Sequence, residues 1–223
     1  MNKKLSASLI GTSVGIMFSG SVAAATLEIT IQNQSKGLYF TPVLASAHDS
    51  TVSFFKAGES ASDALKALAE GGDFSGLASA VGNAGGVNVE NASQGPIAPG
   101  ASASFSIDSG DNPYLSIASM ILPSNDGFIG VNQWKIPSRS GTYKVYLNGY
   151  DAGTEANDEL KSSIPNPPFL EGKLGDNGSG VETNNTNTNI HIHPGNLGGQ
   201  NSDFDATQHR WLNPLASLTV TVK

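Results

Sequence analysis

The sequence predicts an all-β fold, an antiparallel β-sandwich with a short helical insertion. Several short segments alternate apolar and polar residues, glycine and proline separate them, and one segment has clear helical spacing. Alternating segments of this kind form strands that bury one face. A series of such strands joined by turns packs as two β layers around one core.

Six segments are predicted to form strands. They include "TLEITIQ" at the start and "LASLTVTVK" at the end, both alternating. Pro42 predicts that the second strand is an edge strand or contains a bulge. The six predicted strands are residues 26–32, 37–45, 102–108, 114–122, 141–149 and 215–223.

The clearest helix is predicted at residues 60–69, "SASDALKALA". Ser60 or Ser62 can cap its N-terminus, and the glycine pair that follows ends it. A second, short helical turn is predicted at 74–81. The polar segment 172–189, rich in Gly, Asn and Thr, is predicted to be a long surface loop.

The N-terminus has the pattern of a secretory signal peptide. A basic start, an apolar stretch over 5–20 and small residues up to Ala25 predict cleavage after Ala25. The alternative is an uncleaved anchor, which the interrupted and marginally long apolar stretch disfavours. We therefore expect an exported domain, residues 26–223, located in the periplasm, secreted or at the cell surface.

Charge and cysteine content limit the partners. The chain has 12 basic and 19 acidic residues, and removal of Lys3 and Lys4 leaves a net charge of −9. This balance disfavours nucleic acid and anionic membrane as partners and favours cations. We predict no nucleic-acid binding and no membrane insertion after signal cleavage. Because the chain has no cysteine, stability must come from the core or from a bound ion.

Two predicted turns carry acidic residues at the ends of strands. The first, in 121–131, contains Asp126; the second, in 145–158, contains Asp151 and Glu155. Turns at the tips of neighbouring strands can converge, and carboxylate and carbonyl oxygens are the ligands of Ca²⁺. The simpler interpretation is that Asp and Asn form turns by bonding their own backbone. The EF-hand pattern is absent.

The motifs in these two turns also resemble those of a known protein family. "MILPSNDGFIGV" and "YDAGTE", together with "FKAGESASDALKALAEGGD", resemble bacterial members of the N-terminal spondin domain family, over most of 26–223. The resemblance implies a C2-like β-sandwich with Ca²⁺ bound at one end. The ligands it implies fall on Asp126, Asp151 and Glu155, where Glu155 replaces the more usual Asp. A further acidic ligand of animal members has no clear counterpart, and Asp108 is the nearest candidate.

The segment "NIHIHPG" suggests a different metal site. His191 and His193 are two residues apart, so a strand would place both imidazoles on one face, as in some Zn²⁺ and Cu²⁺ sites. A third ligand would have to come from another histidine or a carboxylate. The simpler interpretation is that both histidines face solvent while Ile190 and Ile192 point inward.

Motifs of common enzymes are absent from the predicted exported domain, 26–223, which contains no Gly-x-Ser-x-Gly, His-Glu-x-x-His or phosphate-binding glycine loop. We therefore expect that the protein is not an enzyme. The leading hypothesis is an exported calcium-binding module for adhesion, which binds an extracellular or periplasmic protein or glycan. The alternative is a periplasmic transition-metal-binding protein, or a metal-dependent enzyme, that uses His191 and His193.

Overall fold

The computed structural model describes residues 24–167, 174–176, 178 and 187–223, and within them the chain forms ten strands and three α-helices. The all-β prediction is confirmed. The strands are β1 Thr26–Asn33, β2 Tyr39–Phe40, β3 Leu44–His48, β4 Val87–Val89, β5 Ser102–Asp108, β6 Tyr114–Leu122, β7 Gly127–Lys135, β8 Gly141–Asp151, β9 His191–Ile192 and β10 Ala216–Val222. The helices are α1 Asp63–Gly71, α2 Ser75–Asn83 and α3 Ala206–His209.

All strand pairs are antiparallel. Along the sheet the order is β4-β3-β6-β7-β8-β10-β1-β5, with β2 added to β6 and β9 added to β8. The two ends of this order, β4 and β5, lie against each other, so the sheet curls almost into a barrel. This arrangement is consistent with the expected sandwich, because opposite parts of the curled sheet face each other across one core.

The main core lies inside the curled sheet. Alternate residues of β1 and β10, such as Ile29 and Val220, are buried there. Strand β6 differs because it is buried on both faces: one face joins this core, and the helices cover the other. A strand buried on both sides consists mostly of apolar residues, which explains the composition of β6; its two buried serines, Ser116 and Ser119, are hydrogen-bonded.

Helix α1 packs on the outer face of the sheet. The Ser62 hydroxyl caps it by accepting a hydrogen bond from the Leu65 amide at 3.2 Å, and Gly72, in the left-handed conformation with φ 72°, ends it. Its buried leucines share a cluster with Phe128 of β7 and with Ala152. Because Ala152 directly follows Asp151, this helix lies over the second acidic turn.

The structure differs from the sequence prediction in several elements. The predicted strand 37–45 is divided into β2 and β3, and Pro42, which has no N–H to donate to a neighbouring strand, lies between them. Helix α2 is nine residues long rather than a single turn. Strands β4 and β7 were not among the predicted strands, and β8 continues to Asp151 instead of ending at residue 149.

Two predictions fall mainly outside the described residues. The predicted signal peptide, 1–25, lies outside them except for its last two residues, and so does much of the predicted loop 172–189. Both stay predictions. In the part of the chain that the structure does describe, no helix is both long enough and apolar enough to cross a membrane.

The cap of α1 gives a test of the fold. Replacement Ser62→Ala removes the hydroxyl that caps the helix and should lower the free energy of unfolding by about 1 kcal/mol. Ser60→Ala is the control, because the Ser60 hydroxyl contacts the exposed side chain of Asn189 instead. Urea denaturation should show a smaller loss for the control. Equal losses would contradict the assignment of Ser62 as the cap.

Candidate metal centre

The two acidic turns lie side by side because of the register of two strands. β7 and β8 are paired so that Gly127 is opposite Asp151. The turn before β7 is closed by Ser124, whose hydroxyl accepts a hydrogen bond from the Gly127 amide at 3.1 Å and donates to the Ile121 carbonyl at 2.6 Å. This closure places Asp126 beside the end of β8.

Asp126 binds the first turn to the second. Its side chain is completely buried, and Oδ2 accepts hydrogen bonds from the amides of Thr154 (2.7 Å) and Glu155 (3.1 Å). Its backbone carbonyl accepts a further hydrogen bond from the Ala152 amide at 3.2 Å. The other carboxylate oxygen, Oδ1, is shielded from solvent and has no hydrogen-bond partner. Asp126 therefore combines a structural role with one buried oxygen that is still free to bind a ligand.

Asp151 is also buried and is held within the second turn. Its Oδ1 accepts a hydrogen bond from the Gly153 amide at 2.8 Å, and Oδ2 accepts one from the Asn157 side chain at 2.6 Å. Oδ2 is 3.6 Å from Nε2 of His191. The backbone of Thr188 packs closely against this turn: any side chain in place of Gly153 would bring its Cβ to 2.6 Å from that backbone, which is too close. The Asp151 carboxylate is thus fixed in position at the strand end.

Glu155 completes the group of three predicted ligands, and it is only 5% exposed. Burial, followed by the negative charges of Glu70 and Asp126, raises the pKa of its carboxyl to about 8. Burial and then the charge of Asp151 raise the pKa of Asp126 to about 6. Both pKa values show that negative charge is unfavourable here in the absence of a cation.

Asp158 and Glu159, which follow the second turn, have structural roles. The Asp158 carboxylate accepts hydrogen bonds from Asn125 (3.1 Å), the Leu160 amide (3.0 Å) and the Ser163 hydroxyl (2.6 Å). The Glu159 carboxylate accepts hydrogen bonds from two successive amides of the loop that follows β9, those of Leu197 and Gly198. For these two residues, the interpretation as turn-forming groups holds.

The three predicted ligands do not form a complete cage by side chains alone. Among the described residues, no three His, Cys, Asp or Glu side chains are arranged so that they could hold a metal ion together. A cation at this position would take part of its coordination from backbone carbonyls and water, as Ca²⁺ commonly does. The unpartnered Oδ1 of Asp126 fits such an ion.

Asp108 is not part of this site. It ends β5, opposite Thr26, and its exposed carboxylate accepts a hydrogen bond from the Gly110 amide. The carboxylate that acts most strongly on Glu155 belongs instead to Glu70 of α1. Sequence reasoning missed Glu70, because a single Glu in a helix is an ordinary solvent-facing residue and carries no motif.

The two histidines of "NIHIHPG" lie in different environments. His193 is buried against the Trp211 ring at 4.6 Å, its Nδ1 accepts a hydrogen bond from the Gly195 amide, and burial lowers its pKa to about 4. His191 is partly exposed. The expectation that both histidines face solvent and both isoleucines point inward is wrong for His193 and for Ile192, which is half exposed. The reason is that β9 is only two residues long, so strand alternation does not continue beyond it.

Comparison with known proteins agrees with the architecture. The family model of the spondin N-terminal domain (Spondin_N) matches residues 30–167, a segment that contains α1 and both acidic turns. A search of curated proteins found no match. The matched segment covers more than half of the chain. The chain therefore belongs to the spondin N-terminal domain family, a family of extracellular, adhesion-type modules.

Proposed function

We propose that this protein is an exported calcium-binding module that acts in adhesion, and not an enzyme. The observation that carries the proposal is the completely buried Asp126, whose Oδ1 has no partner although two more buried carboxylates lie nearby. Burying like charges together is costly unless they become protonated or are compensated. A divalent cation compensates all three charges at once.

Calcium fits this site better than a smaller or softer ion. Asp126, Asp151 and Glu155 supply oxygen ligands, and Ca²⁺ accepts 6–8 oxygens in flexible geometry. Each of the two turns contributes at least one of these carboxylates, so the bound ion would connect them. Binding to the folded state alone stabilises that state, and the ion would thus strengthen one end of a domain that has no disulfides.

The alternative, a transition-metal site, rests on one observation, the 3.6 Å between His191 Nε2 and Asp151 Oδ2. A soft ion would need further imidazole ligands. His193 Nε2 is buried and has no hydrogen-bond partner, but His193 is a poor candidate because its Nδ1 accepts a hydrogen bond, which places the proton of the neutral ring on Nε2. Its ring also packs against Trp211. We therefore favour calcium.

A structural role is also favoured for a serine–histidine pair that resembles a catalytic dyad. The Ser116 hydroxyl and His48 Nε2 are 2.7 Å apart, which is the spacing of a nucleophile and its base. Both side chains are completely buried, and Nδ1 of His48 contacts a backbone carbonyl rather than a carboxylate. A substrate could not reach this hydroxyl without movement of the strands around it. The pair instead supports the bulge between β6 and β7 at this point.

The partner is an extracellular or periplasmic protein or glycan. This part of the proposal depends on the family, whose members are adhesion-type modules. The net charge of the mature chain supports solubility and argues against nucleic acid. We propose the periplasm or the cell exterior as the location.

Calcium binding can be tested by thermal denaturation of the wild-type protein in calcium and in EGTA. At a calcium concentration a hundredfold above Kd, the melting temperature should rise by about 5–10 °C for a domain of this size. Asp151→Asn should abolish this rise, because it removes a charged ligand while keeping the shape of the side chain. Asp108→Asn, which changes an exposed carboxylate outside the site, should leave the rise unchanged. A calcium-dependent rise that persists in Asp151→Asn would contradict the proposed site.

Metal analysis of the purified protein distinguishes calcium from the alternative. We expect calcium in both the wild-type protein and His191→Ala, and no stoichiometric zinc or copper in either. Stoichiometric zinc or copper that disappears in His191→Ala would support the transition-metal hypothesis instead.

The pKa of Glu155 predicts how pH acts on the protein without calcium. A carboxyl whose pKa is raised from 4.5 to about 8 on folding stabilises the folded state below pH 4.5, and this contribution is lost as the pH rises through 8. Glu155→Gln imitates the protonated form at every pH. In calcium-free buffer its melting temperature should equal that of the wild type near pH 5 and exceed it near pH 8. If the difference in melting temperature between Glu155→Gln and the wild type does not grow with pH, the surroundings do not destabilise the ionised carboxylate of Glu155.

A further inference from the structure

Strand β8 has a free edge at which a partner can bind. We propose that this edge, residues 142–146, binds an extended acidic segment of another protein, which adds to β8 as one more strand. The inference rests on the adhesive part of the proposed function, because it names the surface and the chemistry of the partner. It does not depend on calcium.

Strand β8 is paired on both sides for only part of its length. On one side, β10 pairs with it from Gly141 to Leu147. On the other side, β7 pairs with it only from Asn148 to Asp151. Within the part of the chain that the structure describes, no strand pairs with that second side over 142–146. Backbone N–H and C=O groups at such an edge are a template for an added strand.

A bulge in β7 is the cause of this free edge. The register between β6 and β7 shifts between Leu115 and Ile117, and Gln133 of β7, close to the shift, has a positive φ of 51°. The Ser116 hydroxyl accepts a hydrogen bond from the Gln133 amide at 2.9 Å. A bulge bends the strand that contains it. Beyond Gly130, β7 therefore stays with β6 and separates from β8, which continues beside β10.

Partly buried apolar side chains lie beside the free edge. Tyr143 and Val145 of β8 and Trp134 of β7 pack against the main core but stay partly exposed. The Trp134 and Tyr143 rings contact edge to face, with centroids 6.2 Å apart. Tyr146 is 58% exposed. An added strand would cover the inward-facing side chains further, so we expect apolar residues at alternate positions of the partner.

The surroundings of the free edge are basic. Residues 127–150 contain no Asp or Glu, whereas Lys135, Arg139 and Lys144 are all exposed. These are three of the ten basic residues of a mature chain whose net charge is −9. None of the three forms an ion pair with a described residue. The cross-strand neighbour of Lys144 on β10 is the uncharged Thr219. The edge therefore attracts a partner with acidic residues.

These features favour an acidic protein segment over a second copy of the chain and over an acidic polysaccharide. Pairing of two copies through this edge would bring their basic residues together, and lysine on an edge strand is a common protection against such pairing. A polysaccharide would use the positive charge but not the row of backbone N–H and C=O groups. A strand with acidic residues facing outwards and apolar residues facing inwards uses both.

The test is binding of a fluorescein-labelled peptide, Val-Asp-Val-Glu-Val-Asp-Val, to the folded protein, measured by fluorescence anisotropy in calcium and in EGTA. As an added strand, the peptide can place its valines beside Tyr143 and Val145 and its acids beside Lys144. We expect saturable binding that weakens as the salt concentration rises. The same peptide with N-methyl groups on alternate residues should not bind, because it cannot complete the backbone hydrogen bonds. Hydrogen exchange of 142–146 should slow when the unmodified peptide is bound.

Charge reversal on the edge gives a second measurement. Lys144→Glu should weaken peptide binding by roughly tenfold, because a favourable cross-strand charge pair becomes an unfavourable one. A peptide with Lys in place of every Asp and Glu should bind Lys144→Glu more tightly than the wild type. Arg210→Glu is the matched control: it makes the same change in net charge at an exposed residue directly after α3. It should bind the acidic peptide as the wild type does.

The outcomes separate this inference from the calcium proposal and from the other partners. Absence of peptide binding overturns the inference even where calcium raises the melting temperature. Binding in EGTA supports it even where calcium has no effect on the melting temperature. Equal binding of the N-methylated peptide, or of hyaluronan, overturns it in favour of a polyanion. Protection of 142–146 that grows with protein concentration, without peptide, overturns it in favour of a second copy. Should Lys144→Glu fail to fold, the N-methylated peptide and hydrogen exchange decide.

Discussion

The contact on which this end of the molecule depends is the pair of hydrogen bonds from the amides of Thr154 and Glu155 to one oxygen of Asp126. A single buried carboxylate thereby holds two chain reversals together. A hydrogen bond to a charged group contributes more than one between neutral groups, and it lowers the pKa of the acid that receives it. Burial and the neighbouring charge of Asp151 act in the opposite direction and prevail. The contact therefore needs a negative charge in a place that opposes it, and this conflict is the physical reason for proposing a cation here.

The sequence was informative where local chemistry determines the structure. Strand β5 was predicted with its observed limits because its alternation ends at turn-forming residues on both sides. The proximity of Asp126 and Asp151 was anticipated from turns at the tips of neighbouring strands, and in the structure Asp126 directly precedes β7 while Asp151 ends β8, its neighbour in the sheet. The family resemblance supplied the identity of this turn pair, which residue spacing alone left open.

The features that were missed depend on long-range packing. The burial of His193 is set by Trp211 and by the short length of β9, and no alternating pattern could reveal either. Glu70 acts electrostatically on Glu155, more than 80 residues away in sequence, because α1 packs over the end of the sheet. Such relations become visible only when the helix is placed on the strands.

The place of β10 in the sheet has a consequence for how much of the chain forms one cooperative unit. The family match ends at residue 167, yet β10, Ala216–Val222, lies between β8 and β1 and is paired with both along its whole length. A chain truncated at residue 167 would lack β10, the strand between β8 and β1. The pair β1 and β5 would then no longer be joined to the other strands of the sheet by backbone hydrogen bonds. The sheet closes only when Ala216–Val222 is in place, and the cooperative unit therefore includes a segment about fifty residues beyond the end of the family match.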